Sequence, residues 1–359
     1  MKRALVMSGG GARGSFQVGM LEELVINQGL DFEVIRGVSV GALNASFLSQ
    51  ANFIENDPGS VENLKNEVRA LKSLWLDDVE GNQSVYSNRA GFAGLIAGGD
   101  SLYSLKPLRT LLDEKLDIDR VEASNRKFKV GTVSLVSSLY QEWGPGDNEF
   151  FEKIMASASI PVVFPFVDVP SEEDVLVDGG VRNITPLSSA FKEQPDEIYV
   201  LLTSRLEKKP DGLPSSGAEH HSYKKWNDNW LGTSVGGLDV LERTLDILTD
   251  EIYLEDIKSA KNWNTVAEAI NTLENIQKAT QGIPDEINNG ITNVVKALQD
   301  VHKRKVKIYV LAPQVWFDEN AEEGNKNSST KFSPRLIEKA IEHGKEIAAD
   351  RSQWLMGGN

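Results

Sequence analysis

The amino-acid sequence predicts an α/β fold in which helices cover a mostly parallel sheet. Short apolar runs typical of buried strands alternate with segments of helical periodicity along the chain. Two strand-to-helix turns follow each other within the first 50 residues. After residue 208 this alternation gives way to long apolar stripes at helical spacing, which predict an inserted helical subdomain.

The first predicted unit is the strand Ala4–Ser8, followed by the glycine-rich loop Gly9–Gly14 and a helix. The second unit is the strand Glu33–Val38, followed by a helix from Ala42. Further strands are predicted at Phe128–Val136, Asp174–Val177, Ile198–Thr203 and Val306–Leu311. Further helices are predicted at Val61–Leu76, from Leu108, at Glu149–Ser157 and from Pro334.

A polar linker from Lys208 to about Ser222 precedes three apolar stripes, which begin at Leu241, Val266 and Ile283. Stripes of this width usually face a core, so we expect these helices to pack on the sheet domain, with lipid contact as the alternative. We therefore predict a catalytic core at 1–207, a linker and inserted helical segment at 208–303, and a strand and helix at 304–359 that return to the core.

Composition narrows the classes of function. The formal net charge of −15 disfavours nucleic acid as a partner, and the absence of cysteine excludes disulfides and thiolate metal sites. The apolar run after Met1, Lys2 and Arg3 is too short for a signal peptide, and no run is long enough to span a bilayer. These features predict a cytoplasmic protein, with peripheral membrane association or export by a non-classical route as the alternatives.

The segment from Asp77 to Leu102 loses periodicity, and Phe92, Leu95 and Ile96 lie among glycines in its middle. A loop of this kind is either a packed surface loop or a mobile lid over an apolar substrate. The sequence favours neither interpretation.

The stretch Gly37–Gly41 reads GVSVG and places Ser39 between two glycines at a strand-to-helix junction. At such a strained turn, a larger side chain at Gly37 or Gly41 would collide with neighbouring backbone, and the serine hydroxyl points outward as a nucleophile. The alternative is an ordinary serine at a helix N-cap.

The loop Gly9–Gly14 satisfies the dinucleotide-binding pattern GxGxxG, so a nucleotide-binding oxidoreductase is an alternative function. In that fold the next strand ends in an acidic residue, whereas here Glu33 precedes the strand and Ser39 follows it. The other use of such a loop is an oxyanion hole. Its donors would be backbone N–H groups of Gly9, Gly10, Gly11 and Val40.

A nucleophilic serine also needs a base. The four histidines lie outside any motif-like turn: His220, His221, His302 and His343. Asp178 ends the apolar strand Val175–Val177, and the glycines that follow, Gly179 and Gly180, leave it uncrowded. Partial burial would raise its pKa and improve it as a base toward Ser39, although an Asp-Gly turn without catalytic function is the common case.

Taken together, GGGARG, GVSVG and DGG in this order resemble the patatin-like phospholipases, whose members use a Ser/Asp dyad without histidine. The stretch Ala156–Pro161 with Phe164-Pro165, the segment Ser101–Leu108, and Asn183 and Pro186 after DGG are similar to further family features. The resemblance covers about Ala4 to Arg205 well and Phe332 to Ala348 loosely.

The resemblance implies a three-layer α/β/α sandwich that hydrolyses acyl esters of a lipid or phospholipid, with transient contact to a membrane surface and without a metal or cofactor. Ser39 would attack the ester carbonyl, and Asp178 would take its proton. Arg13 occupies the family's basic position, and the remaining supporting residues are Gly14, Gly37, Gly41, Gly179 and Gly180. A non-catalytic lipid-binding scaffold of the same fold is a further alternative.

Overall fold

The protein is described from a computed structural model, which covers residues 1–89, 98–208, 214–216, 259, 262–279, 284–298, 305–318, 321–324 and 329–357. The strands are β1 (Arg3–Met7), β2 (Val34–Val38), β3 (Ser87–Asn88), β4 (Tyr103–Ser104), β5 (Lys127–Ser134), β6 (Tyr140–Trp143), β7 (Val167–Val169), β8 (Asp174–Asp178), β9 (Glu197–Leu201), β10 (Leu206–Lys208), β11 (Pro214–Ser216), β12 (Lys307–Leu311), β13 (Trp316–Asp318), β14 (Ala321–Gly324) and β15 (Met356–Gly357).

The α-helices are α1 (Gly14–Leu21), α2 (Val40–Leu48), α3 (Pro58–Ser73), α4 (Lys106–Lys115), α5 (Ile118–Ala123), α6 (Phe150–Ser157), α7 (Leu187–Lys192), α8 (262–279), α9 (Asp285–Leu298) and α10 (Pro334–Ala349). π-Helical turns at Glu22–Asn27 and Leu74–Asp78 extend α1 and α3. Each element that the sequence predicted and the structure describes has the predicted type, with ends that agree within a few residues, whereas α5, α7 and the short strands such as β6 and β7 were not predicted.

The main sheet has the strand order β15-β12-β9-β1-β2-β5-β8-β7, with β6 paired to β5. Its five central strands, from β12 to β5, run parallel, whereas β15, β6, β8 and β7 pair antiparallel. Parallel strands need cover on both faces, which explains why β1 and β2 are almost continuously apolar. The predicted mostly parallel sheet is confirmed.

Two apolar cores lie on opposite faces of this sheet. Leu5 and Met7 of β1 face a core that includes residues of α1, α2, α3 and α10. Ala4 and Val6 of the same strand face a second core with α7. Because side chains alternate along a strand, one strand serves both cores. The architecture is thus the predicted three-layer α/β/α sandwich.

Strand register places three distant segments at one edge of the sheet. Met7 pairs with Gly37, so the loops that follow β1 and β2 leave the sheet side by side. On the next strand, Gly131 lies opposite Val38, and Asp178 of the antiparallel strand β8 lies opposite Thr132. The carboxyl ends of β1, β2 and β8 therefore meet.

Helix α10 packs closely on α1, which is buried along its whole length. A Cβ atom at Gly19 would lie 2.7 Å from the carbonyl carbon of Ile341, and one at Gly344 would lie 3.2 Å from the backbone nitrogen of Met20. The two helix backbones thus approach each other through glycines. The C-terminal part of the chain is part of the same packed layer as α1.

The inserted helical segment is described only in part, because the stripe that begins at Leu241 lies outside the described residues. Helix α8 packs on the second core as predicted: the Trp263 ring meets Phe191 edge-on at 4.8 Å, and Asn264 exchanges two hydrogen bonds with the Val306 backbone. The prediction that the α9 stripe faces a core is wrong for Ile287 and Val294, which are 56% and 49% exposed.

Periodicity gives the apolar face of a helix but does not tell which part of the protein covers that face, as α9 shows.

Within the described residues, no helix combines the length and apolarity needed to cross a bilayer.

Candidate active site

Ser39 lies at the junction of β2 and α2 with φ 56° and ψ −131°, a conformation that a non-glycine residue rarely adopts. Although it occupies the N-cap position of α2, its side chain makes no cap hydrogen bond. The hydroxyl instead interacts with the Asp178 carboxylate and lowers the pKa of that carboxyl group. The side chain therefore serves the partner across the sheet edge and does not cap its own helix.

Close backbone contacts fix this turn. A Cβ atom at Gly37 would lie 2.7 Å from the Ala42 Cα, and one at Gly41 would lie 2.5 Å from the Ser8 carbonyl oxygen. Real Cβ contacts do not approach so closely, so both positions require glycine. The sequence predicted that a larger side chain at either glycine would collide with neighbouring backbone, and these short distances agree with that prediction.

The glycine-rich loop packs directly against the Ser39 turn. A Cβ atom at Gly9 would lie 2.9 Å from the Ser39 Cβ, and one at Gly14 would lie 2.9 Å from a methyl group of Val40. The two turns thus form one surface, and glycines at the contact points make their approach possible.

Asp178 ends β8, and its side chain is only 4% exposed. Its Oδ1 accepts a hydrogen bond from the Gly180 N–H at 2.7 Å, and its own N–H donates to the Ser159 carbonyl oxygen at 2.9 Å. Burial raises the pKa of the carboxyl group from 3.8 to about 7, against the opposing hydrogen bonds from Ser39 and Gly180. The carboxylate is thereby a usable base near neutral pH.

The glycines after Asp178 have separate tasks. A Cβ atom at Gly179 would lie 2.7 Å from the Gly131 carbonyl carbon, so this residue lets the turn approach β5. Gly180 supplies the N–H that holds the carboxylate. Both glycines therefore position the Asp178 side chain.

Ser157, a residue to which sequence reasoning assigned no role, holds the backbone of the nucleophile. The Ser39 N–H donates to the Ser157 Oγ at 3.0 Å, and the Ser157 hydroxyl donates to the Gly131 carbonyl oxygen at 2.7 Å. Ser157 thus links the strained turn to β5. The only sequence signal was its place in the stretch Ala156–Pro161.

The glycine-rich loop and the start of α2 carry the backbone N–H groups that were predicted as oxyanion donors. Gly10 and Gly11 have φ values of 148° and 57°. Among the described residues, the N–H groups of Gly10, Gly11 and Val40 donate to no protein acceptor. The Gly9 N–H, in contrast, donates to the Ile184 carbonyl oxygen at 3.3 Å, which corrects its predicted part in an oxyanion hole. The contribution of Gly9 is the close approach to Ser39.

Side chains distant in sequence hold the glycine-rich loop. The Thr203 hydroxyl donates to the Gly9 carbonyl oxygen, and the Thr203 N–H donates to the Ser8 Oγ at 3.1 Å. Gln17 donates to the Ser8 carbonyl oxygen at 2.9 Å, and the Ala12 N–H donates to the Ser329 carbonyl oxygen at 2.8 Å. None of these contacts follows from a local motif.

One apolar cavity borders Ser39, Gly11 and Val40. Its wall includes Leu43, Phe47, Leu71, Trp75, Leu108 and Phe332. The Trp75 indole N–H donates to the Asn44 Oδ1 at 2.9 Å, so the polar edge of this large ring is satisfied within the wall. We call this space the acyl cavity, since its lining suits a hydrocarbon chain.

Part of the loop predicted between Asp77 and Leu102 forms this wall. Val79 and Val85 line the acyl cavity, and the Tyr86 ring packs on Tyr103 at 4.7 Å. Within the described parts of this loop, Val79, Val85 and Leu102 are therefore packed into the protein, whereas 87–89 and 98–100 are exposed. Phe92, Leu95 and Ile96 lie outside the described residues.

Two other residues singled out in the sequence lie away from the surface. Arg13 is 6% exposed within a turn of 3-10 helix between the loop and α1. His343 is buried on α10, where its Nε2 accepts the Gln314 N–H at 3.1 Å and its ring meets Phe16 edge-on. Burial lowers the pKa of His343. The three other histidines lie outside the described residues.

Comparison with known proteins assigns the family. A family model described as patatin-like phospholipase matches residues 5–191, more than half of the chain. The chain belongs to the patatin-like phospholipases, a family of lipid acyl hydrolases. Among solved structures, VipD from Legionella pneumophila is similar with a TM-score of 0.40 and 11% identity, covering 97% of this chain and 66% of the VipD chain. No curated protein matches the sequence.

Proposed function

We propose that the protein is a lipid acyl hydrolase of the phospholipase A or lysophospholipase type, which cleaves fatty-acyl esters through an acyl-enzyme on Ser39. One observation carries the proposal: the Ser39 hydroxyl interacts with the buried Asp178 carboxylate, and Ser39 lines an apolar cavity together with Gly11 and Val40. This is the geometry that a serine needs to act as a nucleophile.

In the first half-reaction, the Ser39 Oγ attacks the ester carbonyl carbon as Asp178 accepts the hydroxyl proton. The negative charge that develops on the carbonyl oxygen is stabilised by the N–H groups of Gly10, Gly11 and Val40. The Val40 N–H also lies at the start of α2, where the helix dipole favours negative charge. When the tetrahedral intermediate collapses, Asp178 returns the proton to the leaving alcohol or lysolipid.

In the second half-reaction, Asp178 accepts a proton from a water molecule that attacks the acyl carbon. The same donors stabilise the second tetrahedral intermediate. The proton then returns to the Ser39 Oγ as the fatty acid leaves. The Gly180 N–H holds Asp178 in place, and this one carboxylate accepts the proton in both steps.

The acyl cavity supports a lipid as the substrate. A wall of aliphatic and aromatic side chains gains free energy from burying hydrocarbon, about 0.8 kcal/mol per methylene group. A dinucleotide would leave its charged phosphates against this wall, so the cavity argues against the oxidoreductase alternative. Transient contact with a membrane surface follows from a substrate that resides there.

The test uses wild type and Ser39→Ala on a panel of mixed-acyl phosphatidylcholines, lysophosphatidylcholine and triglyceride, with product masses measured. Ser46→Ala on α2 is the matched control, because the Ser46 hydroxyl donates only to the Ala42 carbonyl oxygen at 2.7 Å. We expect wild type and Ser46→Ala to release fatty acid and Ser39→Ala to release none. A fluorophosphonate probe should label the same two proteins.

Labelling of Ser39→Ala at the wild-type level would refute the nucleophile. A folded wild type that releases no fatty acid from any of these esters would favour the non-catalytic scaffold.

A further inference from the structure

A second cavity lies next to the acyl cavity. It has a volume of about 350 Å³, within the range of small-molecule sites. Leu105 lines both cavities. The segment 155–160 separates them, since Met155 and Ser159 line the second cavity whereas Ala158 and Ile160 line the first. The Ser159 carbonyl oxygen of this segment accepts the Asp178 N–H, so one wall of the second cavity is tied to the backbone of Asp178.

Six charged side chains line this second cavity, and four of them neutralise each other. Arg89 pairs with Asp100. Arg109 forms a two-pronged pair with Glu152. Two opposite charges are left: in the described part of the chain, neither the Lys106 ammonium nor the Asp168 carboxylate has a hydrogen-bond or ion-pair partner, and both side chains are exposed.

The surroundings of Lys106 favour a negatively charged ligand group, and the surroundings of Asp168 favour a positively charged one. Lys106 is the first residue of the ten-residue helix α4, whose N-terminal dipole adds to the positive charge of its side chain. Asp168 lies on β7, two residues from Phe166, whose ring also lines the cavity and is 44% exposed. An aromatic face beside a carboxylate is suited to an ammonium group, including a quaternary one.

We propose that this cavity binds a zwitterionic group that carries a phosphate and an ammonium, the headgroup of phosphatidylcholine or phosphatidylethanolamine. The Lys106 ammonium contacts the phosphate, and Asp168 and Phe166 contact the ammonium. As a headgroup site, the proposal rests on the proposed lipid hydrolase function. An anionic lipid such as phosphatidylglycerol satisfies only the Lys106 half.

The headgroup has two sources, the substrate molecule itself or a neighbouring lipid in the membrane. In the first case the ester lies at Ser39 while the headgroup occupies the second cavity across the 155–160 segment. In the second case the cavity holds the protein on a zwitterionic surface. The chemistry of recognition is the same, and kinetics with monomeric and vesicular lipid distinguish the two.

Binding is measured first, in the Ser39→Ala background, by calorimetry with short-chain phosphatidylcholine kept below its micelle-forming concentration. We expect Lys106→Gln and Asp168→Asn each to weaken this binding about tenfold, the scale of one charge-assisted contact. For short-chain phosphatidylglycerol, only Lys106→Gln should weaken binding. Matched controls are Lys278→Gln on α8 and Asp119→Asn on α5, which change exposed charges outside the cavity.

Hydrolysis then separates the two sources in proteins with Ser39 intact. If the substrate supplies the headgroup, both variants lower kcat/KM about tenfold for monomeric phosphatidylcholine and leave a p-nitrophenyl ester of the same acyl chain unchanged. If a neighbouring lipid supplies it, monomer kinetics stay at the wild-type level, and cosedimentation with phosphatidylcholine vesicles falls.

Wild-type behaviour of Lys106→Gln and Asp168→Asn in calorimetry, kinetics and vesicle binding would overturn the site. If the wild type cleaves no ester but charge-dependent phosphatidylcholine binding persists in the Ser39→Ala background, the proposed hydrolase function fails and the headgroup site stands.

Discussion

The two strand-to-helix turns of this protein are built alike and supply different chemistry. Gly9–Gly14 follows β1 and Gly37–Gly41 follows β2, and Met7 and Gly37 pair where the two strands end. Both turns contain a residue with φ close to 57°, Gly11 in the first and Ser39 in the second. At the glycine the turn exposes backbone N–H groups, whereas at the serine it exposes a side chain. In the proposed mechanism the first turn supplies only backbone donors, whereas the second supplies the Ser39 nucleophile together with the Val40 N–H.

We call Gly9–Gly14 the backbone turn and Gly37–Gly41 the side-chain turn. The largest expected effect on activity comes from changing Asp178, the partner of the side-chain turn. In Asp178→Asn, the amide cannot accept the Ser39 proton, so we expect kcat to fall by about 10⁴-fold. The backbone turn is untouched, and residual fluorophosphonate labelling should be slow but directed to Ser39. Near-normal hydrolysis by this variant would refute the dyad.

The same variant tests the burial of the carboxylate. The pKa of Asp178 is raised in the folded state, so its protonated form stabilises the fold at low pH, and that contribution is lost as the pH rises toward about 7. Asp178→Asn should therefore be more stable than wild type at pH 8, by up to about 4 kcal/mol in the free energy of unfolding. The gain in stability should be smaller at pH 5, and thermal unfolding at the two pH values measures the difference. An equal effect at both pH values would contradict the raised pKa.

The next test adds a Cβ atom to the backbone turn. In Gly11→Ala, the new methyl group would lie 3.0 Å from the Ser329 carbonyl carbon, and the loop must shift. Displacing one oxyanion donor should lower kcat by about 10²-fold. Gly29→Ala is the matched control, since Gly29 has φ 69° and nothing within 4 Å of the added atom. Equal losses of kcat in the two variants would assign the effect to backbone strain alone.

The pH dependence of kcat/KM separates the two turns further. The side-chain turn depends on the ionisation of its partner Asp178, whereas the backbone N–H groups of the other turn do not titrate. Asp178 must be ionised to act as a base, so kcat/KM should fall about tenfold for each pH unit below about 7. Gly11→Ala should lower the whole profile without moving its midpoint. A midpoint near pH 4 in the wild type would show that the buried environment of Asp178 does not persist during turnover.

The smallest expected effect comes from removing the Ser157 hydroxyl, which holds the backbone of the side-chain turn. Ser157→Ala leaves the Ser39 N–H without its buried acceptor, at a cost of about 1–3 kcal/mol in the free energy of unfolding. We expect a modest fall in kcat, about tenfold, with KM unchanged. Denaturant unfolding and steady-state kinetics measure the two effects. A variant as stable as wild type would show that Ser39 holds its conformation without this bond.

Most of the fold, and the three turns at the centre of the candidate site, could be predicted from local sequence patterns. The two turns and the Asp178 turn each need glycines at fixed spacing, and such requirements are visible within six residues of sequence. The supports were not visible, because Ser157 and Thr203 meet their partners 118 and 194 residues away. For α9, the pattern predicted the apolar face correctly and its covering wrongly, since periodicity carries no information about neighbours.

The strand before the glycine-rich loop depends on a part of the chain that lies beyond the family match. β1 pairs with β9, which starts at Glu197, whereas the match ends at residue 191. A fragment cut at that boundary would leave β1 as an unprotected sheet edge with exposed backbone groups, a template for intermolecular pairing. It would also lose the Ser329 contact to the loop and the α10 cover of α1. Aggregation, and not merely lower activity, is the expected fate of such a fragment.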